Sequence, residues 1–190
     1  MVGGSSSWPS GVPVSARTIL ALSGSLRTES FTTAVLRSAV KLAPAGLDIT
    51  IVDMVRDLPL YDEDLSEAGA GDAIRAQVAA ADGLLIATPE YNYNIPGPLK
   101  NWLDWCSRPF VTHCLMGKTV AVFGVAPGGR GGKASVEYLR SVIPQLGATL
   151  AGEELLLPNI KDHLDAETGA LSETATDSLT SLLAALHAAF

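Results

Sequence analysis

The sequence predicts an α/β protein: three α/β/α layers around a five-stranded parallel sheet. Three observations lead there. Five apolar runs of strand length recur along the 190 residues, and segments with helical spacing separate them. Apolar residues make up 47% of the chain and charged residues only 17%, enough to bury one substantial core. The connections after the first, third and fourth runs are dense in glycine, hydroxyls, proline and tyrosine, as befits the ligand end of such a sheet.

Each element has its own signal. Met1 to Ala16 is rich in Gly, Ser and Pro and lacks the basic and apolar regions of a secretory signal, so residues 1–16 read as a disordered leader. Arg17–Ser23 encloses Thr-Ile-Leu-Ala-Leu, a buried strand. Ser30–Ala43 repeats Phe31, Ala34, Val35, Ala39 and Leu42 at helical spacing. Asp48–Met54 is β-branched and strand-like, Asp57–Glu67 a polar, proline-bearing loop, and Asp72–Ala81 a short helix. Gly83–Thr88 is the third strand. Leu99–Ser107 places Leu99, Trp102, Leu103 and Cys106 on one helical face and Lys100, Asn101 and Asp104 on another. Thr119–Val125 is the fourth strand, Lys133–Gln145 a helix and Thr149–Leu157 the fifth strand. A turn at Thr168–Leu171 precedes a closing helix, Glu173–Ala189.

Right-handed crossovers leave few topologies for this order. At this length the flavodoxin-like strand order 2-1-3-4-5 is the economical one, with its crevice between strands 1 and 3. The loop after Ser23 then lies beside the loop after Thr88. Residues 17–190 form one domain.

Several function classes fall away. Asp and Glu number 20 against 13 Lys and Arg, and no Lys/Arg run exists, so nucleic acid is not an expected partner. No stretch approaches the roughly 18 apolar residues of a membrane span. Cys106 and Cys114 fit neither zinc nor redox spacing, which favours reduced thiols and a cytoplasmic location. His113, His163 and His187 are scattered, and no metal is expected. There is no Gly-x-Ser-x-Gly elbow, no Gly-x-Gly-x-x-Gly, and Pro127 and Ala134 break a phosphate-loop NTPase pattern.

Three loops remain as a candidate site. In Ser23-Gly24-Ser25-Leu26-Arg27-Thr28-Glu29-Ser30-Phe31-Thr32, hydroxyls and one arginine surround a helix N-terminus, whose free N–H groups attract anions. One helix dipole contributes about 0.3–1 kcal/mol, so a phosphate dianion needs these donors together. Read as packing alone, Ser30 is an N-cap and Arg27 a solvated charge. The loop Pro89-Glu90-Tyr91-Asn92-Tyr93-Asn94-Ile95-Pro96 is polar, aromatic and stiffened by proline, suited to a planar ring with hydrogen-bonding edges, such as a flavin. In Ala126-Pro127-Gly128-Gly129-Arg130-Gly131-Gly132-Lys133, four glycines permit close backbone approach to a ligand.

Taken together, Gly24-Ser25-Leu26-Arg27-x-x-Ser30, Pro89-Glu90-Tyr91-Asn92-Tyr93 and Ile95-Pro96-Gly97-x-Leu99-Lys100-Asn101 with Asp104-Trp105 resemble the NAD(P)H-dependent FMN reductase family, the flavodoxin-like quinone, azo-dye and chromate reductases. Pro59-Leu60-Tyr61-Asp62 is a lesser match. The resemblance implies that Ser25, Leu26, Arg27, Ser30, Phe31 and Thr32 hold an FMN phosphate. Pro89, Glu90, Tyr91, Asn92 and Tyr93 would line the ring, largely through backbone. Ala126 and Gly128 would close its pyrimidine side. Val125 and Ala126 stand where many relatives carry serines, so the loop's N–H groups would serve that edge. It further implies NADPH or NADH as a transient co-substrate, a small-molecule acceptor, no obligatory catalytic acid or base, and a homodimer or homotetramer. By analogy Trp102, Trp105 and Tyr138 become interface aromatics. Two alternatives stay open: a non-enzymatic FMN electron carrier, and a flavodoxin-like binding module without cofactor.

Overall fold

The computed structural model describes residues 15–52, 55–67 and 69–190. Asp53 and Met54, the predicted end of the second strand, and residues 1–14 of the predicted leader lie outside the described residues.

Five strands and a short sixth run parallel in the order β2-β1-β3-β4-β5, with β6 also paired to β4. They are β1 (Arg17–Ser23), β2 (Leu47–Val52), β3 (Gly83–Thr88), β4 (Thr119–Val125), β5 (Thr149–Leu150) and β6 (Leu155–Leu157). The helices are α1 (Phe31–Leu42), α2 (Glu63–Glu67), α3 (Asp72–Ala80), α4 (Gly97–Cys106), α5 (Lys133–Val142) and α6 (Glu173–Ala188). β3 and β4 are buried along their whole length, which is why they read as unbroken apolar runs.

Alternation along each strand divides the interior into two cores. Leu20, Leu22, Leu84, Ile86, Val120 and Val122 face α3, α4 and α5. Ile19, Ala21, Leu85, Ala87, Ala121 and Phe123 face α1 and α6. Trp102 and Trp105 are both fully buried in the first core. The expectation that they serve a subunit interface is therefore corrected: their area is already spent inside the chain. Trp105 Nε1 and Asn101 Nδ2 each donate to the Pro59 carbonyl at 2.8 Å, and Asn101 Oδ1 accepts the Tyr61 amide at 2.8 Å. Thus α4 holds the Pro59–Tyr61 loop in place.

Three boundaries differ from the sequence reading. The predicted fifth strand is two pieces. Thr149 and Leu150 pair with Thr119 and Val120, and pairing resumes at Leu155 with Phe123, so residues 151–154 bulge opposite 121 and 122. Gly152 turns the chain there at φ +73°, and Glu153 and Glu154 are exposed. The helix expected over Lys133–Gln145 ends at Val142, because Pro144 has no N–H to continue it and opens a 3-10 turn instead. Inside the polar loop, Glu63–Glu67 forms one extra helical turn.

Candidate functional site

Three loops at the carboxyl ends of β1, β3 and β4 meet around one crevice. Gly24 N–H donates to Ala87 O at 2.8 Å, which brings the first loop onto the end of β3. A Cβ at Gly24 would stand 3.2 Å from both Leu99 Cδ2 and Pro89 Cδ, so any side chain here would force those neighbours to shift by a few tenths of an ångström. The crevice encloses about 190 Å³ between Ser25–Thr32 on one side and Pro89–Tyr91 and Val125–Pro127 on the other.

On the first side the hydroxyls are largely committed to one another. Ser30 Oγ lies 2.6 Å from Thr32 Oγ1, which lies 2.8 Å from Ser23 Oγ, and Thr33 Oγ1 donates to Ser23 Oγ at 3.0 Å. Ser30 and Thr32 are buried. Ser30 is also the N-cap of α1, accepting the Thr33 amide at 3.3 Å, so its packing role is real. This network shapes the loop. It leaves the first-turn amides of Phe31 and Thr32 without a protein acceptor among the described residues. Arg27 is exposed at the rim. The cradle therefore offers backbone N–H groups and a guanidinium, a donor set that fits a phosphate monoester.

The second side turns on Glu90. Its carboxylate accepts the Ala134 amide at 2.8 Å and Arg130 Nε at 3.0 Å, while the Arg130 guanidinium lies 5.1 Å from the Tyr93 ring centroid. Ser135 Oγ donates to Asn94 O at 2.7 Å. The loops after β3 and β4 are thus fastened together. Sequence reasoning missed Arg130 and Ser135, because their partners are remote in the chain. Glu90 contributes its side chain to this clasp as well as backbone to the crevice wall.

Of the predicted contacts, Ser25, Arg27, Ser30, Phe31, Thr32, Pro89, Glu90, Tyr91 and Ala126 line the crevice together. The others lie elsewhere. Leu26 lines an adjacent pocket. Asn92 and Tyr93 form the exposed tip of a turn closed by Tyr91 and Asn94, with φ of 52° and 61°. Gly128 is exposed beyond the lining. The amide of Ala126 also cannot serve a ring edge, since it donates to Leu157 O at 3.1 Å. Gly131 and Gly132 pack against the sheet rather than a ligand: a Cβ on Gly124 would lie 2.2 Å from Gly131 O. Among the four glycines only Gly128 and Gly129 stand in open space.

Fold and crevice together define a flavodoxin-like α/β protein with a mononucleotide-type site at its topological switch point. The sequence model of the NADPH-dependent FMN reductase family matches residues 17–162, and the chain belongs to that family. It is 39% identical over 174 residues to an NAD(P)H-dependent FMN reductase of Pseudomonas aeruginosa, covering 89% of this chain and 92% of the relative. It is 36% identical over 173 residues to a quinone reductase of Escherichia coli K12, covering 88% and 92%. The flavoenzyme NAD(P)H:acceptor oxidoreductase FerB from Paracoccus denitrificans superposes with a TM-score of 0.80 at 26% identity, over 91% of this chain and 96% of that one. FMN is the cofactor of this family and NAD(P)H its reductant.

Proposed function

We propose that residues 17–190 act as one FMN-dependent reductase unit that takes electrons from NAD(P)H and delivers them to quinones. Azo compounds, free flavin and metal oxyanions are further candidate acceptors. The observation that carries this is the convergence, in one open crevice, of the α1 amides and Arg27 with the Pro89–Tyr91 wall. When bound, FMN supplies the centre that accepts a hydride and passes two electrons on.

The protein's part is binding and orientation. The Phe31 and Thr32 amides with Arg27 hold the phosphate. Pro89–Tyr91 and Val125–Pro127 form the walls for the ring. No side chain is assigned as acid or base, because hydride transfer through a flavin requires none.

A homodimer or homotetramer accords with the exposed Phe110, Val111 and Met116 between α4 and β4, and with Leu60 on the loop that α4 holds. A cytoplasmic location accords with two free cysteines and with the absence, among the described residues, of a helix long and apolar enough to cross a membrane.

The test is a visible spectrum with added FMN, followed by NADPH or NADH and then a quinone under anaerobic conditions. Bleaching by the nicotinamide and recovery with quinone is the expected result. Bound FMN that neither nicotinamide reduces would indicate an electron carrier, and no FMN binding at micromolar concentration would overturn the reading.

A further inference from the structure

Cys106 and Cys114 are the only cysteines of the chain, and their spacing carries no redox motif. The fold supplies the pairing that the spacing does not. Cys106 is the last residue of α4 and is buried with Leu99, Trp102 and Leu103 of the same helix. Beyond it the chain turns repeatedly: the Thr112 amide donates to Pro109 O, the Met116 amide to His113 O and the Lys118 amide to Leu115 O. These turns return Cys114 to the end of the helix, where its Sγ donates to the Cys106 carbonyl at 3.3 Å.

The two thiols differ in their surroundings. Cys106 is fully buried and Cys114 partly exposed, so solvent reaches one sulfur of the pair. A hydrogen bond from the Cys106 thiol holds the Cys114 thiol below its ordinary value, against the opposing effect of burial. Its own backbone N–H and the charges of Lys118 and Arg75 act in the same direction as that bond. Burial first, and then the bond to Cys114, pushes the Cys106 thiol well above its ordinary value. Lys118 Nζ donates to the carbonyls of Ala79 and Ala81, neutral acceptors that leave its charge in place, whereas Arg75 is shared with Asp72. A partly exposed thiol near cations, hydrogen-bonded to a second thiol, oxidises selectively and has a partner at hand to close a disulfide.

We propose that Cys114 is a peroxide-reactive thiol and that Cys106 resolves its oxidised form into an intramolecular disulfide. The Cys114 thiolate attacks one oxygen of hydrogen peroxide and the O–O bond breaks. The products are the Cys114 sulfenic acid and hydroxide, which becomes water with the proton that Cys114 gave up. The Cys106 sulfur then attacks the Cys114 sulfur; the S–S bond forms, the S–O bond breaks, and the departing hydroxide takes the Cys106 proton as water. The thiol pair loses two electrons in total and the peroxide gains them. The flavin takes no part, so the site stands apart from the reductase reading. The crosslink encloses residues 107–113 and ties down the segment that carries the exposed Phe110 and Val111.

The test treats the full chain, reduced beforehand and kept free of nicotinamide, with hydrogen peroxide, with and without added FMN. Thiols are titrated after denaturation, and intact mass is recorded before and after dithiothreitol. The expected result is loss of both thiols, a mass lower by two hydrogens, and full reversal by dithiothreitol. Chymotrypsin cleavage after Phe110 separates the two cysteines in sequence, so the fragments stay joined until the disulfide is reduced. In Cys106→Ala the Cys114 sulfenic acid has no resolving partner and is trapped by dimedone. In Cys114→Ala the buried Cys106 keeps its thiol in the folded protein.

Persistence of both thiols in peroxide-treated wild type overturns the proposal. A gain of oxygen without a crosslink overturns it too, since Cys106 then fails to resolve. Disulfides joining two chains overturn the intramolecular pairing, and a Cys106 oxidised as readily in Cys114→Ala as the pair in wild type overturns the order of reaction. Should the buried Cys106→Ala variant not fold, as thermal melts report, the wild-type fragment mapping and Cys114→Ala at the partly exposed position decide. Failure of the reductase reading appears elsewhere, as absent FMN binding or absent flavin reduction, and the thiol titration without FMN is unaffected by it.

Discussion

The Glu90 carboxylate accepts the backbone N–H of Ala134 at 2.8 Å, so a residue of the loop after β3 caps the first turn of α5. The helix's own N-cap, Gly132, has no side chain for that task. Glu90 is 12% exposed at its side chain, and Arg130 is its second partner. Replacing it by alanine leaves the α5 amide unpaired and unfastens two walls of the crevice. Glu90→Ala is expected to cost about 1.5–3 kcal/mol of stability, the range for hydrogen bonds to a charged group. FMN binding should weaken as well. Urea denaturation and FMN fluorescence titration check both; an unchanged FMN Kd would mean the clasp does not shape the site.

The Arg27 guanidinium is exposed and has no hydrogen-bond or ion-pair partner among the described residues, so its removal should act on ligand and not on fold. Arg27→Ala is expected to weaken FMN binding at least about tenfold, the scale of a lost charge-assisted contact, with an unchanged melting temperature. Ser30→Ala should do the reverse in part. It removes the α1 cap and costs about 1 kcal/mol of stability. Calorimetric FMN titrations beside thermal melts separate the two.

Tyr93 occupies the left-handed region at φ 61°, where a non-glycine residue costs about 1–2 kcal/mol. Its cation–π contact with Arg130 returns about 0.5–1 kcal/mol at an exposed site. Tyr93→Gly is therefore expected to keep the melting temperature or raise it slightly. Tyr93→Val, β-branched and without the aromatic face, should lower it. A marked drop in Tyr93→Gly would show that the ring contributes more than the turn strains.

Asp82 accepts the Thr18 amide at 2.8 Å and Arg17 Nη1 at 3.1 Å. These contacts, the amide first, hold its carboxyl below the ordinary value of 3.8. A depressed carboxyl adds stability above the unfolded value and loses it as the pH falls through the lower folded value. The stability gap between wild type and Asp82→Asn should be full at pH 6 and above, and close as the pH drops below about 4. The pair is partly solvated, so the gap is small. Urea titrations across that range measure it; a gap that widens in acid would contradict the assignment.

Much of the architecture was legible in the residues. Strand runs such as Leu20–Leu22 and Leu84–Ile86 are apolar because both sheet faces are covered, and α1 announces itself through Ser30 and the spacing of Val35 and Ala39. The break at residues 151–154 was not, because a bulge is a matter of register against β4 and leaves the apolar pattern intact. The fate of Trp102 and Trp105 was equally hidden: a tryptophan suits a core and an interface alike, and only the partners of Trp105 at Pro59 and of the helix at β3 decide.

The sequence by itself determined the fold class, the family, and which three loops meet at the ligand end of the sheet, since these follow from local periodicity and from motifs contiguous in the chain. The tertiary structure alone decided how each loop spends its groups. It turned the Ser23–Thr33 hydroxyls inward on one another, took the Ala126 amide for the sheet, packed Gly131 against Gly124, and joined Glu90 to Arg130 and Ala134. It also drew Arg27, Arg37 and Arg56 to one pocket. The reason is physical. A backbone N–H or a guanidinium is available to a ligand only if no other protein group has satisfied it, and that depends on neighbours far away along the chain.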